Sequence, residues 1–209
     1  MGPALADGAD LAAATQMRTG RLRCGWGLML VMGALAVPAY AQAELHWFRG
    51  ATELEKGAPG LKVPTNGKIT ILIVGLREIH CNAEGTEELS NPLAGFGEDS
   101  LTKLKLAKCK VPHHLCPETK NVEVLPLGLP WHSQLFSASI EGDAVEGVKL
   151  EVRCKAGHTL HLLEGGLEGP VAKGAIEAKG RLTEVEEHRE AIVTLEQHLK
   201  SKHGKITAK

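Results

Sequence analysis

The sequence predicts an all-β protein: a mainly antiparallel β-sandwich or barrel-like domain with two disulfides, following an N-terminal signal peptide helix. Three observations favour this class. Short segments rich in β-branched residues alternate apolar and polar side chains. Gly, Pro and Asn-Gly punctuate these segments as turns do. Four cysteines follow an export leader, and an even cysteine set in an exported chain is typical of disulfides.

The leader has the three parts of a secretory signal peptide. A stretch with three arginines precedes an apolar run over residues 25–37, and small residues follow it. We expect cleavage after Ala41 or Ala43, so that residues 1–43 are a signal peptide with a weak N-terminal extension, and Met17 is an alternative start. The apolar run is shorter than the roughly 18 residues that cross a bilayer. The mature chain is therefore expected to have no stable membrane span and to lie outside the cell or in its envelope.

The cysteines of the mature chain are Cys81, Cys109, Cys116 and Cys154, because Cys24 lies before the apolar run and leaves with the leader. Four cysteines allow three pairings. The short gap between Cys109 and Cys116 favours a local bridge, which leaves Cys81 to pair with Cys154. On the chain-entropy relation the long loop would then contribute roughly 4.4 kcal/mol and the short one roughly 2.5 kcal/mol.

The mature chain is predicted to be one β-rich domain over residues 44–199 with a flexible tail over 200–209. Residues 44–54 have the pattern of an opening hairpin, and Pro64 and Asn66-Gly67 predict a break before the next strand. Breaks are also expected at Gly142-Asp143, Gly165-Gly166 and Gly169-Pro170. The predicted strands after the hairpin are 68–74, 77–81, 101–109, 121–125, 131–136, 145–154, 159–164 and 171–178.

The segment 181–199 fits two structures. Its apolar residues form a helical stripe with charged residues between them. The stretches 181–185 and 191–196 equally fit two strands around an acidic turn. Periodicity alone favours the helix.

Gly128-Leu129-Pro130-Trp131 is the most distinctive local element. Trp131 on a proline-bounded turn is a candidate binding tip. The other interpretation is a Trp that plugs one end of the β-structure. We favour the plug, because a chain with 3% aromatic residues is expected to bury its few large rings.

Catalysis and metal binding are weakly indicated. Ser133, Ser137 or Ser139 with His132 and Asp143 contain hydrolase residue types, but no Gly-x-Ser-x-Gly elbow places a serine on a strained turn. The acidic run Glu184, Glu186, Glu187 and Glu190 is more typical of a solvated face than of paired glycosidase carboxylates. Four histidines are candidate metal ligands without the close spacing of zinc sites. They are His113, His114, His158 and His161.

The charge balance excludes a basic nucleic-acid-binding domain, because the formal net charge is −1. The scarcity of aromatic residues also argues against a stacking platform for single-stranded nucleic acid or sugars. No motif indicates a cofactor.

The chain resembles a large group of exported proteins of unknown function from soil actinobacteria. The resemblance implies a β-rich fold that closes with a β-hairpin where residues 181–196 lie, and it implies no activity. The matching residues are His46-Trp47-Phe48, Gly50, Val63-Pro64, Gly67, Ile69-Thr70, Cys81, Asn91-Pro92, Cys109, Cys116, Gly128-Leu129-Pro130-Trp131, Glu146-Gly147-Val148-Lys149 and Cys154.

The function that these observations predict is a non-catalytic structural or interaction module of the cell envelope or exterior. The alternatives are a secreted hydrolase with an unrecognised site and a histidine-based metal binder.

Overall fold

The computed structural model describes residues 44–75, 78–111, 116, 122–137, 141–154 and 159–209, apart from the side chain of residue 141. The predicted signal peptide, residues 1–43, lies outside the described residues. Within them the chain forms twelve β-strands and no helix, which confirms the all-β prediction. The strands are Trp47–Arg49 (β1), Thr52–Glu53 (β2), Leu61–Ile73 (β3), Glu78–Ser90 (β4), Glu98–Lys110 (β5), Val122–Leu127 (β6), Trp131–Ser137 (β7), Glu141–Cys154 (β8), Thr159–Ala172 (β9), Ala175–Glu184 (β10), Glu190–Leu199 (β11) and Ile206–Ala208 (β12).

Eight of these strands close into an antiparallel barrel. The strand order is β3, β4, β5, β7, β8, β9, β10 and β11, and β11 pairs back to β3. Because closure gives each of these strands a neighbour on both sides, it removes the unpaired edges of an open sheet. Of the two all-β architectures predicted, the barrel is therefore the one that forms.

Several strands are longer than predicted, because they continue through residues that were expected to form turns. β3 runs through Pro64 and Asn66-Gly67, and β9 runs through both of its predicted glycine breaks. Pro64 lacks an N–H, but it lies where the β3–β11 ladder ends, at the Thr65↔Leu199 pair, and its carbonyl still accepts the N–H of Lys200 at 2.9 Å. Gly142-Asp143 likewise lies inside β8 instead of in a turn.

Glycine also permits a close approach between β9 and β10. A Cβ added to Gly180 would lie 2.0 Å from the carbonyl oxygen of Gly166, so a larger residue would push the two backbones apart. Such glycines are common where a barrel wall bends sharply.

β6 and β7 together occupy one strand position beside β8. β6 pairs with one half of β8 and β7 with the other, and both run in the same direction. Between them the chain passes through Gly128, whose φ is 67°, and a cis Leu129-Pro130 peptide bond. On the other side, β5 pairs with β7 over four residues only, Glu98–Leu101 with Trp131–Gln134.

A small sheet of three strands, in the order β12-β1-β2, packs beside the barrel. Asn91 joins it to the barrel wall: its side chain accepts the N–H of Trp47 and donates to the carbonyls of Trp47 and Leu54, at 2.7, 3.0 and 3.0 Å. The indole of Trp47 is fully buried and donates to the carbonyl of Glu98. The opening hairpin of the sequence analysis is confirmed as β1 and β2.

The prediction of a flexible tail over residues 200–209 is wrong at its end. β12 pairs with β1, and the backbones of His46 and Lys209 exchange two hydrogen bonds. Ile206 is fully buried. Because the residues before it are mostly charged, the sequence pattern did not predict the short Ile-Thr-Ala strand. The two apolar side chains of this strand face inward.

The tail segment 181–199 forms a hairpin, as the resemblance implied and as periodicity alone did not favour. β10 and β11 pair over nine residues, from Ala175↔His198 to Thr183↔Glu190. The alternation of inward and outward side chains favours the hairpin over the helix. Leu182 and Ala191 pair directly across the two strands, and both face the core.

All four predicted cysteines form disulfides, but the favoured pairing is wrong. Cys81 bonds to Cys109, which joins β4 to β5, and Cys116 bonds to Cys154 at the end of β8. Cys109 lies within the long strand β5 beside Cys81, so the short sequence gap to Cys116 does not decide its partner. Two disulfides fit a protein that folds in an oxidising, extracellular environment.

Candidate functional site

The short β5–β7 ladder carries a polar groove on its outer face. Alternate residues of the two strands point outward there, and Ser100 and His132 lie opposite each other with 2.9 Å between Ser100 Oγ and His132 Nδ1. The groove encloses about 450 Å³. We call it the outer groove, and the residues that line it are Ser90, Glu98, Asp99, Ser100, His132, Ser133, Gln134, Leu135, Phe136, Ala144 and Glu146.

A second cavity of about 470 Å³ lies beside the outer groove on the barrel wall. The two share Ala144 and Glu146. The second cavity adds Glu168, Lys179 and Arg181 from β9 and β10. The surface is therefore shallow and mixed in charge, and both polar and apolar side chains line it.

Three carboxyl groups lie on the opposite, inner face of the same part of the wall. Glu87 of β4, Asp99 of β5 and Asp143 of β8 are 1%, 4% and 1% exposed. Ser133 of β7 is paired with Asp99 in the ladder and lies among them. We call Glu87, Asp99 and Asp143 the interior carboxyl cluster.

Burial raises the pKa of every member of the cluster. The pKa of Asp99 rises from 3.8 to about 6, mainly because burial disfavours the charged form, while hydrogen bonds from Ser133, Asp143 and Glu87 oppose the rise. The pKa values of Glu87 and Asp143 rise well above the ordinary range, first through burial and then through the negative charge of Asp99. The cluster therefore holds protons at a pH at which an exposed carboxyl group has already lost its own.

No cation balances this cluster in the described part of the chain. Outside the cluster, the buried ionisable side chains among the described residues are His46 and Glu184, and no Lys or Arg is buried among them. Both side-chain oxygens of Asp143, Oε2 of Glu87 and Oδ1 of Asp99 are buried without a hydrogen-bond partner. Three ionised carboxylates without a partner would be very costly in an apolar interior, so shared protons are the arrangement that the fold can tolerate.

A second buried acid–base contact lies farther along the barrel. Nδ1 of His161 is 2.5 Å from Oε1 of Glu184, and the two side chains are 10% and 2% exposed. Glu184 pairs with Leu163, which pairs in turn with Leu150 of β8, well along that strand from Asp143. The contact satisfies one oxygen of Glu184 and joins β9 to β10.

The candidate hydrolase residues do not assemble. Ser133 and His132 are neighbours in β7, so the first faces the interior and the second faces solvent. Asp143 lies near Ser133 but on the side of the wall away from His132. Ser137 is half-buried at the end of β7, and Ser139 lies outside the described residues.

The candidate acidic and histidine sites also separate. Glu184 is buried, whereas Glu186, Glu187 and Glu190 lie exposed in the β10–β11 turn and at its edge. Of the candidate metal ligands His161 contacts Glu184, and His113, His114 and His158 lie outside the described residues. Within the described ranges no three His, Cys, Asp or Glu side chains are arranged to hold a metal ion.

Trp131 is 1% exposed, and its indole donates to the carbonyl of Leu127 at 2.8 Å. This corrects the binding-tip interpretation, because no ring surface is left for a ligand to contact. The ring packs into the core directly after the turn of β6 into β7, which agrees with the favoured interpretation of Trp131 as a buried plug.

Glu87 and Asp99 were missed by the sequence analysis, although a signal for them exists. Glu87 lies in phase with the inward residues Ala83 and Leu89 of β4, and Asp99 lies in phase with Leu101 of β5. A charged residue in the inward phase of a strand is unusual enough to mark a candidate site.

No protein family, no characterised protein and no solved structure matches this chain. Among the described residues no helix is long and apolar enough to cross a membrane.

Proposed function

We propose that this chain is an exported, non-catalytic interaction module of the cell envelope or exterior, and that the signal peptide over residues 1–43 directs its export. Two disulfides support an extracellular location. The basic, apolar and small-residue segments of the N-terminus support export. The resemblance to exported actinobacterial proteins points the same way.

The outer groove and its neighbouring cavity are the proposed interaction surface. The observation that carries this proposal is that polar and charged side chains from five consecutive barrel strands converge on one shallow exterior surface. Acidic Glu98, Glu146 and Glu168 lie beside basic Lys179 and Arg181. Such a surface suits the polar exterior of a macromolecular partner better than a small apolar ligand, which usually binds in a deep apolar pocket.

The direct test is retention of the protein by isolated cell envelopes. We expect the charge reversals Lys179→Glu and Arg181→Glu, made together, to lower the retained fraction at least about fivefold, since like charges across an interface are strongly unfavourable. The matched control is Lys62→Glu on β3, whose side chain is 70% exposed outside the groove. Equal retention of all three proteins would contradict the proposed surface.

A secreted hydrolase remains the second candidate because of one contact, Ser100 Oγ to His132 Nδ1. Within the described residues no carboxylate hydrogen-bonds to His132, and a nucleophilic serine usually needs a histidine that a third group orients. The test is turnover of chromogenic esters, peptides and glycosides by the wild-type protein and by Ser100→Ala. We expect no turnover, and turnover that Ser100→Ala abolishes would replace the proposed function with a hydrolase.

A further inference from the structure

Among the described residues, the barrel wall has its shortest ladder where β5 meets the strand position shared by β6 and β7. β5 pairs with β7 over four residues, whereas β3 pairs with β11 over nine. Beyond this short ladder, residues 102–110 of β5 and 122–127 of β6 are neighbours, but the described residues form no ladder between them. We call this whole boundary, the short ladder and the unpaired stretch, the seam.

The interior carboxyl cluster spans the seam. Glu87 and Asp99 lie on the β4–β5 side, and Asp143 lies on the β8 side beside Ser133 of β7. Asp99 and Ser133 face each other in the short ladder itself. Asp99 and Asp143 therefore lie on opposite sides of the short ladder, and no buried Lys or Arg of the described residues lies between them.

From this geometry we propose that the seam is a pH-gated opening in the barrel wall: it is closed while the interior carboxyl cluster holds its protons, and it opens as the cluster ionises. Each ionisation adds an uncompensated negative charge to this boundary, and the charges of Asp99 and Asp143 repel each other from opposite sides of it. The β4–β5 boundary resists this repulsion better, because it has ten paired positions and the Cys81–Cys109 disulfide.

The groups around the cluster do not offset this repulsion. β3 and β11 contribute the uncharged Thr65 and Gln197. In β9 and β10 the buried charged residue is Glu184, which is occupied by His161 and lies farther along the barrel. His46 contacts Glu53 in the small sheet. On the outer face of the seam the titratable groups are Glu98, His132 and Glu146, which lie in solvent.

The experiment is amide hydrogen exchange of the whole disulfide-bonded protein at pH 5 and pH 8, resolved by residue and corrected for the intrinsic exchange rate. We expect protection of the amides in 98–101 and 131–134 to fall at least about tenfold between the two pH values, which corresponds to one pKa unit of linkage. The β3–β11 ladder, residues 65–73 with 191–199, serves as the internal reference. Its protection reports the loss of global stability with pH, and it is expected to fall at least about tenfold less than the protection of the seam amides.

Glu87→Gln and Asp143→Asn, made together, keep the shape of the cluster and remove its second and third acids. In this variant Asp99 is the one acid left in the cluster, so we expect the pH dependence of the seam amides to become clearly smaller than in the wild type. Glu98→Gln, an exposed neighbour of Asp99 on the outer face, is the matched control and is expected to behave like the wild type.

If the seam amides keep their protection at pH 8, or lose it in parallel with the reference ladder, the seam is not a gate. The wild-type comparison decides this even if the double variant fails to fold. If the double variant folds and keeps the wild-type pH dependence, the gate does not depend on the cluster and the proposal fails.

Discussion

Asp99 sets a measurable link between pH and stability. Its pKa rises from 3.8 to about 6 in the folded chain, and each unit of difference between folded and unfolded states corresponds to about 1.4 kcal/mol. The shift of roughly two units therefore corresponds to about 3 kcal/mol of unfolding free energy. This is a large part of the 5 to 15 kcal/mol that a domain usually has.

The direction in which the unfolding free energy changes with pH depends on whether the folded or the unfolded chain loses the Asp99 proton at the lower pH. The unfolded chain ionises Asp99 near pH 4, whereas the folded chain holds the proton until about pH 6. The stabilisation is therefore complete below about pH 4 and is lost as the pH rises through about 6. Glu87 and Asp143, whose pKa values are also raised, act in the same direction and extend the loss to higher pH.

The assay is urea unfolding of the oxidised protein at pH 4, 5, 6, 7 and 8, for the wild type, Asp99→Asn and Glu98→Gln. Asp99→Asn keeps the size of the side chain and removes its ionisation, so we expect this variant to lose about 2 kcal/mol less than the wild type between pH 4 and pH 7. Glu98→Gln should follow the wild type. A wild-type stability that rises over this range, or an Asp99→Asn curve parallel to it, would refute the reasoning.

Three further predictions concern the frame that holds the groove. Trp131→Ala should cost roughly 3 to 5 kcal/mol because it empties a fully buried site, measured by urea unfolding, and a loss below about 1 kcal/mol would mean that the ring does not fill the core. Asn91→Ala should free the small sheet from the barrel, since it removes three hydrogen bonds; limited proteolysis should then cut between residues 44 and 60 before it cuts the barrel, and an unchanged pattern would contradict this. Replacing Cys81 and Cys109 with Ser, or Cys116 and Cys154 with Ser, should cost similar amounts, about 3.5 to 4 kcal/mol each, because loops that span 28 and 38 residues differ little in closure entropy. A strongly unequal loss in thermal or urea unfolding would contradict that equality.

Local pattern was sufficient to predict the class of fold and many of its strands. β-branched runs and alternation identify the core of β3 and the inward face of β8, and the even cysteine set predicts the disulfides. The turn residues were less reliable predictors of breaks. Pro64 lies inside β3 where the ladder to β11 ends, and Gly142 lies inside β8 where a Cβ would clash with the ring of Phe136. The hairpin of β10 and β11 depends on pairing between two strands. The apolar residues of this segment also fit a helical repeat, so periodicity within the segment favoured a helix.

The candidate site depended on contacts distant in sequence. Glu87, Asp99 and Asp143 come from three strands, and only barrel closure brings them together. The disulfide partners were missed for the same reason, since register between β4 and β5, not sequence distance, sets the neighbour of Cys109. The sequence did contain one signal for the cluster. In the alternation of each strand, the acid occupies an inward position, where a charged residue is unusual.

Carboxyl-carbon NMR of the oxidised protein, titrated from pH 3 to pH 9, tests the shared-proton cluster most directly. Asp99→Asn and Asp143→Asn would assign the signals. We predict that Asp99 titrates near pH 6, and that Glu87 and Asp143 remain protonated above the pH at which the exposed acids have ionised. Titration of all three carboxyl groups near pH 4, together with the exposed acids, would contradict a buried cluster that shares protons.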